Sequence, residues 1–361
     1  MSTQSQSLWN ALPPYLGGKR RLCPTIFREI DRVLPREHWA GRTFLDGFLG
    51  GGSVSLYAKA QGFSVISTDI ATRAIVIGEG LVANSTVRLS RAEIDRVLSI
   101  PESAAAVNAR RYVPAVFPMN VGIVLDRLFH AAHGTPIRAK AALLRMLAIR
   151  VALLAHPMSQ VRAGTAHRAT TGEWESITPS CIKHYVEALR LDTPGRLWHL
   201  ARKINGGVFA GRGEVHQGSV LDLLPSIAAD TAYFDPPYSG AMSYEKEYRV
   251  IDEMLEGTAR ETSPFTARDG ASMIDTLLER AQHIPIWLLS FGNAVASLEE
   301  LEVMMARFGR HTKAIAIRYQ HLPAIATEGK KESNREFLLI GVDPETSLPV
   351  RLEGVQREVA V

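Results

Sequence analysis

The stretch "RTFLDGFLGGGSVSLYAKAQGFSVISTDI", residues 42–70, decides the fold class. Its first residues are β-prone and run into three consecutive glycines, Gly50 to Gly52. The segment "SVSLYAKAQ" then reads as a helix and "SVISTDI" as a second strand. Strand, glycine turn, helix and strand in that order predict an α/β fold built on a doubly wound parallel sheet. Glycines after the first strand let backbone come close to a ligand, and the following helix offers free N–H groups at its N-terminus. Asp69 lies 19 residues beyond Gly50, the distance at which an acid meets the ribose hydroxyls of an adenosine cofactor in such sheets. Dinucleotide dehydrogenases and other adenosine-cofactor enzymes fit these features equally.

Working outward, 361 residues suffice for one large domain or two of ordinary size. The 46% apolar and 22% charged content is that of a soluble globular chain. Cys23 and Cys181 are far apart and make neither a disulfide framework nor a zinc knuckle, which suits a reducing cytoplasm. No signal pattern opens the sequence. The most apolar window, "AALLRMLAIRVALLAH", carries Arg145 and Arg150, so it reads as a buried amphipathic helix and not a membrane span. His130 and His133 sit one helical turn apart without a third ligand, so no metal site is expected. HExxH and GxSxG are both absent.

Charge is unevenly spread. Residues 86–216 hold 18 Lys and Arg against nine Asp and Glu, while the rest of the chain is net acidic. Such a segment suits a surface that neutralises phosphates, or a solvated basic helical layer. Helical periodicity runs through it in "RAEIDRVLSI", "NVGIVLDRLFHAAH", "AKAALLRMLAIRVALL" and "CIKHYVEALRL". A long polar stretch, "HPMSQVRAGTAHRATTGEWESITPS", separates the last two and is of a length usually functional or disordered. The α/β texture returns at "GEVHQGSVLDLLPSI" and continues through "IPIWLLSFGN", "TKAIAIRYQH" and "REFLLIGVD". The expected architecture is an α/β domain of residues 1–85 and 213–345, a basic helical insertion of residues 86–212, and a tail of residues 346–361.

Within the returning α/β part, "TAYFDPPYSG" (residues 231–240) stops a β-prone run with an acid, two prolines and an aromatic ring. Prolines lack the ladder donor and fix φ, so the strand must end there in a rigid corner. Near the N-terminus, "YLGGKRR" (residues 15–21) places a lysine behind two glycines but fails as a phosphate loop, because Arg20 follows Lys19.

The lysine motif, the glycine turn and the Asp-Pro-Pro-Tyr corner, in this chain order, resemble the Dam-like DNA adenine-N6 methyltransferases. The likeness runs from Tyr15 to about Val342 and is weakest in the basic insertion. It implies a Rossmann-like methyltransferase sheet with an inserted target-recognition segment, S-adenosylmethionine (SAM) as methyl donor, and a flipped adenine of double-stranded DNA as acceptor. A cognate restriction endonuclease is a candidate partner, and no membrane is involved. On this resemblance Asp235 and the Pro236 carbonyl accept the amine's N–H groups, Pro237 stiffens the corner, and Tyr238 stacks on the base. Tyr15, Gly17, Gly18 and Lys19 meet the methionine end of SAM. Asp46, Phe48, Gly50 and Gly52 form the methionine and ribose cradle, and Asp69 binds the ribose. Ser219 and Val220 stand where the family has an acid and an aromatic residue against the adenine, with Asp222 as a substitute. Gly47 replaces the usual proline and is expected to loosen the turn. Tyr244 and Tyr248 are expected to close over the target base, and Arg162, His167, Arg168, Thr170 and Thr171 to contact DNA. Ser290 and Asn293, in the next strand motif, read as structural. Methylation of an RNA adenine, a cytosine amine or a glutamine amide, a degenerate nucleic-acid binder and a dinucleotide oxidoreductase are the alternatives. Cytosine enzymes usually carry Ser at the position of Asp235, and an oxidoreductase leaves the corner unexplained.

Overall fold

A computed structural model describes residues 8–15, 17–155, 172–173, 179–237, 244–256, 263–266, 270–292, 298–318, 335–351 and 358–360. The chain divides into two compact units, one of residues 1–16, 71–210 and 243–261, the other of residues 17–70, 211–242 and 262–361.

The second unit is built on an eight-stranded sheet. Its strands are β1 (Thr43–Asp46), β2 (Ser64–Asp69), β3 (Gly213–Gln217), β4 (Thr231–Phe234), β5 (Ile286–Gly292), β6 (His311–Arg318), β7 (Arg335–Val342) and β8 (Glu358–Ala360). The spatial order is β3-β2-β1-β4-β5-β7-β6-β8. The strands from β3 to β5 pair in parallel, whereas β7 runs antiparallel between β5 and β6. The sequence predicts two closing strands but not this insertion, because a strand's own pattern does not state its neighbours.

Alternation along the strands supplies a layer on each face. Leu45, Ala232, Phe234, Trp287 and Leu289 join one core with Ile274, Leu277 and Leu278 of the helix Gly270–Arg280. Phe44, one residue from Leu45, faces the other way and meets Phe27 at 5.5 Å and Phe63 at 5.4 Å. Phe27 belongs to the helix Cys23–Val33, whose Pro24 sits in the first turn, where its missing N–H costs nothing. Helices on both faces make the sheet doubly wound. The chain order reverses between β1 and β4, the point beyond whose C-terminal strand ends such sheets bind their ligands. Register aligns those ends, with Asp46 paired to Ser67 on β2 and to Tyr233 on β4.

The other unit is helical. Its described residues include the helices Thr72–Ile77, Arg91–Ser99, Met119–His133, Arg138–Ala155, Pro179–Ala188, Pro194–Asn205 and Tyr244–Glu256. Ser90 and Glu93 form a reciprocal capping box at the start of Arg91–Ser99. The Thr72–Ile77 helix widens into a π-turn over Gly78–Val82, where a Cβ on Gly80 would lie 2.5 Å from the Met146 sulfur. That close approach brings the segment against the apolar helix Arg138–Ala155, most of whose residues are buried. Among the described residues no helix is long and apolar enough to cross one.

Candidate active site

The glycine turn leaves β1 at Asp46. Gly47 N–H donates to the Tyr233 carbonyl at 2.9 Å, Leu49 N–H to Thr68 O at 3.0 Å, and Thr68 Oγ1 to Gly47 O at 2.8 Å. These bonds tie the turn to β2 and β4 together. Gly50 and Gly52 adopt φ of +48° and +73°, a region that side chains disfavour, and Gly52 caps the helix Ser53–Ala60. Gly50 N–H donates to Asp69 Oδ2 at 2.8 Å, so the acid at the end of β2 is held on the turn itself. Gly218, just past β3, donates its N–H to the Asp69 carbonyl at 3.0 Å.

Gly47 does not loosen the turn. Its N–H is bonded, and a Cβ there would lie 2.7 Å from Phe234 Cδ1 and 3.2 Å from Val220 Cγ2. The Phe234 ring occupies the volume a proline would need, so glycine at this point is a tight fit.

Asp46 is buried. Its Oδ2 accepts Ser55 Oγ–H at 2.6 Å and its Oδ1 the Phe48 N–H at 3.3 Å, and Ser55 Oγ lies 2.8 Å from Ser67 Oγ. Burial pushes this carboxyl up to about 7, the Ser55 and Phe48 hydrogen bonds pull it down, and the Asp235 and Asp69 charges push it up further. Phe48 packs edge-on against Phe265 at 5.1 Å.

The corner follows β4 directly. Asp235 keeps 19% of its side chain exposed, Pro236 is buried and Pro237 half-buried. Lys19 brings its Nζ to 2.9 Å from Asp235 Oδ1 and 3.0 Å from Glu336 Oε1. Gly17 (φ +71°) turns the chain into this position, and the Lys19 carbonyl accepts N–H groups from Leu22 and Cys23 at the start of the next helix. Burial alone would lower the lysine's pKa, but the two carboxylates hold it well above the ordinary range. The sheet therefore gathers Lys19, Asp46, Gly50, Gly52, Asp69 and Asp235 at the C-terminal ends of β1, β2 and β4.

Val220 is buried in the core against Gly47, and Ser219 is half-buried at the start of the short helix Val220–Leu223. The Asp222 side chain is 79% exposed and lies 3.5 Å from Arg280 Nη1, so it turns to an arginine. In the helical unit, Tyr248 is buried, stacked on Tyr15 at 5.1 Å with the Arg73 guanidinium 4.5 Å from its ring centre. Arg73 in turn pairs with buried Asp252. A ring so enclosed packs the helix Tyr244–Glu256 and is not free to close over a base. Tyr238, Arg162, His167, Arg168, Thr170, Thr171 and Asn293, and the Tyr244 side chain, lie outside what the structure describes. His130 and His133 are exposed, and among the described residues no group of three metal-ligating side chains gathers.

Two features escape the sequence reading. Glu336 on β7, whose Oε1 accepts the Ser290 hydroxyl at 2.8 Å, backs the Lys19–Asp235 pair. The helix Pro194–Asn205 carries Arg196, His199, Arg202 and Lys203 with no acid in its length. Its Thr-Pro start and Gly206 end are boundary signals that would have found it. Burial and then the cations of Lys203, Arg196, Arg202 and Arg150 push the exposed His199 down, which marks these charges as neighbours. Arg196 is partly answered by Glu187.

Residues 15–113 match the family described as D12 class N6 adenine-specific DNA methyltransferase. That span contains Lys19, Asp46, the glycine turn and Asp69. The chain is also 25% identical over 347 residues to the Type II methyltransferase M2.HphI of Haemophilus parahaemolyticus, covering 90% of this chain and 96% of that protein.

Proposed function

We infer that this chain belongs to the D12 class of N6 adenine-specific DNA methyltransferases and moves a methyl group from SAM to the exocyclic amine of adenine in DNA. The observation that carries the reading is the juxtaposition of the Asp235 corner and the Asp46–Gly52 turn at the point where strand order reverses. In such sheets the ligand crevice opens there.

SAM supplies a sulfonium-bound methyl that an amine can displace in line. The residues present fit it. Gly50 to Gly52 offer close backbone and the N-terminus of the helix Ser53–Ala60, and Asp69, fixed by Gly50 N–H, offers a carboxylate to ribose hydroxyls. Asp46 is an acid whose charged form a cationic ligand would favour. An adenine amine is a weak nucleophile because its lone pair is delocalised into the ring. Asp235 and the Pro236 carbonyl would accept its N–H groups and localise that lone pair for attack. The two prolines hold the carbonyl's direction and remove competing donors. Lys19 keeps Asp235 an anion and therefore an acceptor. Tyr238 would supply a ring for the base to stack on.

DNA binding falls to the basic segment. The stripe of Arg196, Arg202 and Lys203, together with Arg162 and Arg168, supports contacts to phosphates that position the duplex without reading it. A restriction endonuclease of matching specificity is the proposed partner in the cell.

The test is transfer of labelled methyl from SAM to unmethylated genomic DNA, followed by digestion to nucleosides, with an RNA substrate alongside. Label on N6 of deoxyadenosine is expected. Label on cytosine, or with RNA alone, would replace the substrate, and no label would refute the reading.

A further inference from the structure

Glu336 belongs to none of the recognised motifs, yet it is 3% exposed and sits in the network behind the corner. Its Oε1 takes both the Lys19 ammonium at 3.0 Å and the Ser290 hydroxyl at 2.8 Å. On its other side Lys19 reaches Asp235 at 2.9 Å. A carboxylate this deep is strongly unfavourable unless paired, and Lys19 with Asp235 alone would already make a neutral pair. The second carboxylate leaves the trio with a net negative charge. Asp46 from β1 and Tyr233 from β4 also act electrostatically on this corner, and neither is a cation.

We propose that Glu336, oriented by Ser290, is a positioning residue that draws Lys19 partly off Asp235, so that Asp235 keeps the acceptor strength to take an N–H of the incoming amine. This rests on the methyltransferase reading of the corner. Without the Glu336 charge the ammonium would settle more fully on Asp235 and compete with the substrate for the same oxygens. With Glu336 in place Lys19 fixes the carboxylate without saturating it. β7, which lies antiparallel beside β5, delivers the glutamate, since Glu336 is register partner to Gly292, two residues beyond Ser290.

The experiment measures kcat and the KM values for SAM and DNA in wild type, Glu336→Gln, Lys19→Met and the double variant, with thermal unfolding of each. Gln keeps the shape and an acceptor oxygen while removing the charge. Glu336→Gln is expected to lower kcat roughly 10- to 100-fold, as for loss of one charge-assisted hydrogen bond, with both KM values within about two-fold. In the Lys19→Met background it should cause no further loss. Ser290→Ala keeps the charge, and a smaller fall of roughly 3- to 10-fold in kcat is expected, which also serves if Glu336→Gln fails to fold. Wild-type kcat in Glu336→Gln, losses that multiply in the double variant, or a loss carried by the KM for SAM would overturn the proposal. Wild-type protein without methyl transfer would instead overturn the functional reading on which it stands.

Discussion

Gly47 N–H donates to the carbonyl of Tyr233 at 2.9 Å, so the glycine turn after β1 is bonded to the strand that ends in the Asp-Pro-Pro-Tyr corner. Under the proposed function the cofactor cradle and the amine acceptor are in this way parts of one backbone arrangement, and in-line displacement requires both to be held in fixed relation.

Replacing Gly47 by proline removes this bond and drives a Cβ into Phe234. A loss of roughly 2–4 kcal/mol in stability is expected from the missing hydrogen bond and the overpacking together. Gly47→Ala should cost less, and Gly47→Ala with Phe234→Leu should be more stable than the two single losses add to. Urea unfolding of the three variants measures this coupling.

Asp46 gives a pH signature. Its carboxyl titrates near 7 in the folded protein, against an ordinary value of 3.8. Between those values the folded state holds a proton that the unfolded state has lost, so this group's contribution favours folding at low pH and is lost as pH rises to about 7. Asp46→Asn should therefore stabilise the protein at pH 8 by on the order of 1–3 kcal/mol, with the advantage shrinking towards pH 4. The same variant should bind SAM more weakly. Thermal unfolding at the two pH values, with and without SAM, checks both statements.

The basic helix Pro194–Asn205 predicts an electrostatic defect without loss of chemistry. Arg202→Ala with Lys203→Ala should weaken binding to all DNA sequences alike and reduce the slope of log K against log salt by about 2. The kcat at saturating DNA should remain close to wild type. A salt titration on a cognate and a scrambled duplex separates this from loss of base reading.

The parts legible in the sequence are those written in local backbone chemistry. Three glycines after a β-prone run and two prolines after another fix the chain's path whatever surrounds them, and the spacing from Gly50 to Asp69 is set by one helix and one strand. Glu336 was not legible, because an acid beside Arg335 at the start of a continuous apolar run reads as a solvated strand end until the partner strand is known. Gly47 was misread for a related reason, since the ring that fills the space beside it belongs to Phe234, far along the chain. The helix Thr72–Ile77 and its π-turn are mostly apolar and interrupted by Gly78 and Gly80, which hides the helical period. Tyr248 was read from its place after the corner, whereas its partners, Tyr15 and Arg73, come from distant segments.

The measurement closest to the central claim is single-turnover methyl transfer by Asp235→Asn, with SAM and DNA affinities determined on the same protein. Asn keeps the shape but halves the acceptor character and no longer pairs as an anion with Lys19. The account predicts a fall in rate of roughly 1000-fold, of the size seen when a preorganised electrostatic partner is removed, with binding of SAM and DNA retained. Transfer at a rate near wild type would contradict it, because the amine would then not need the carboxylate at that corner.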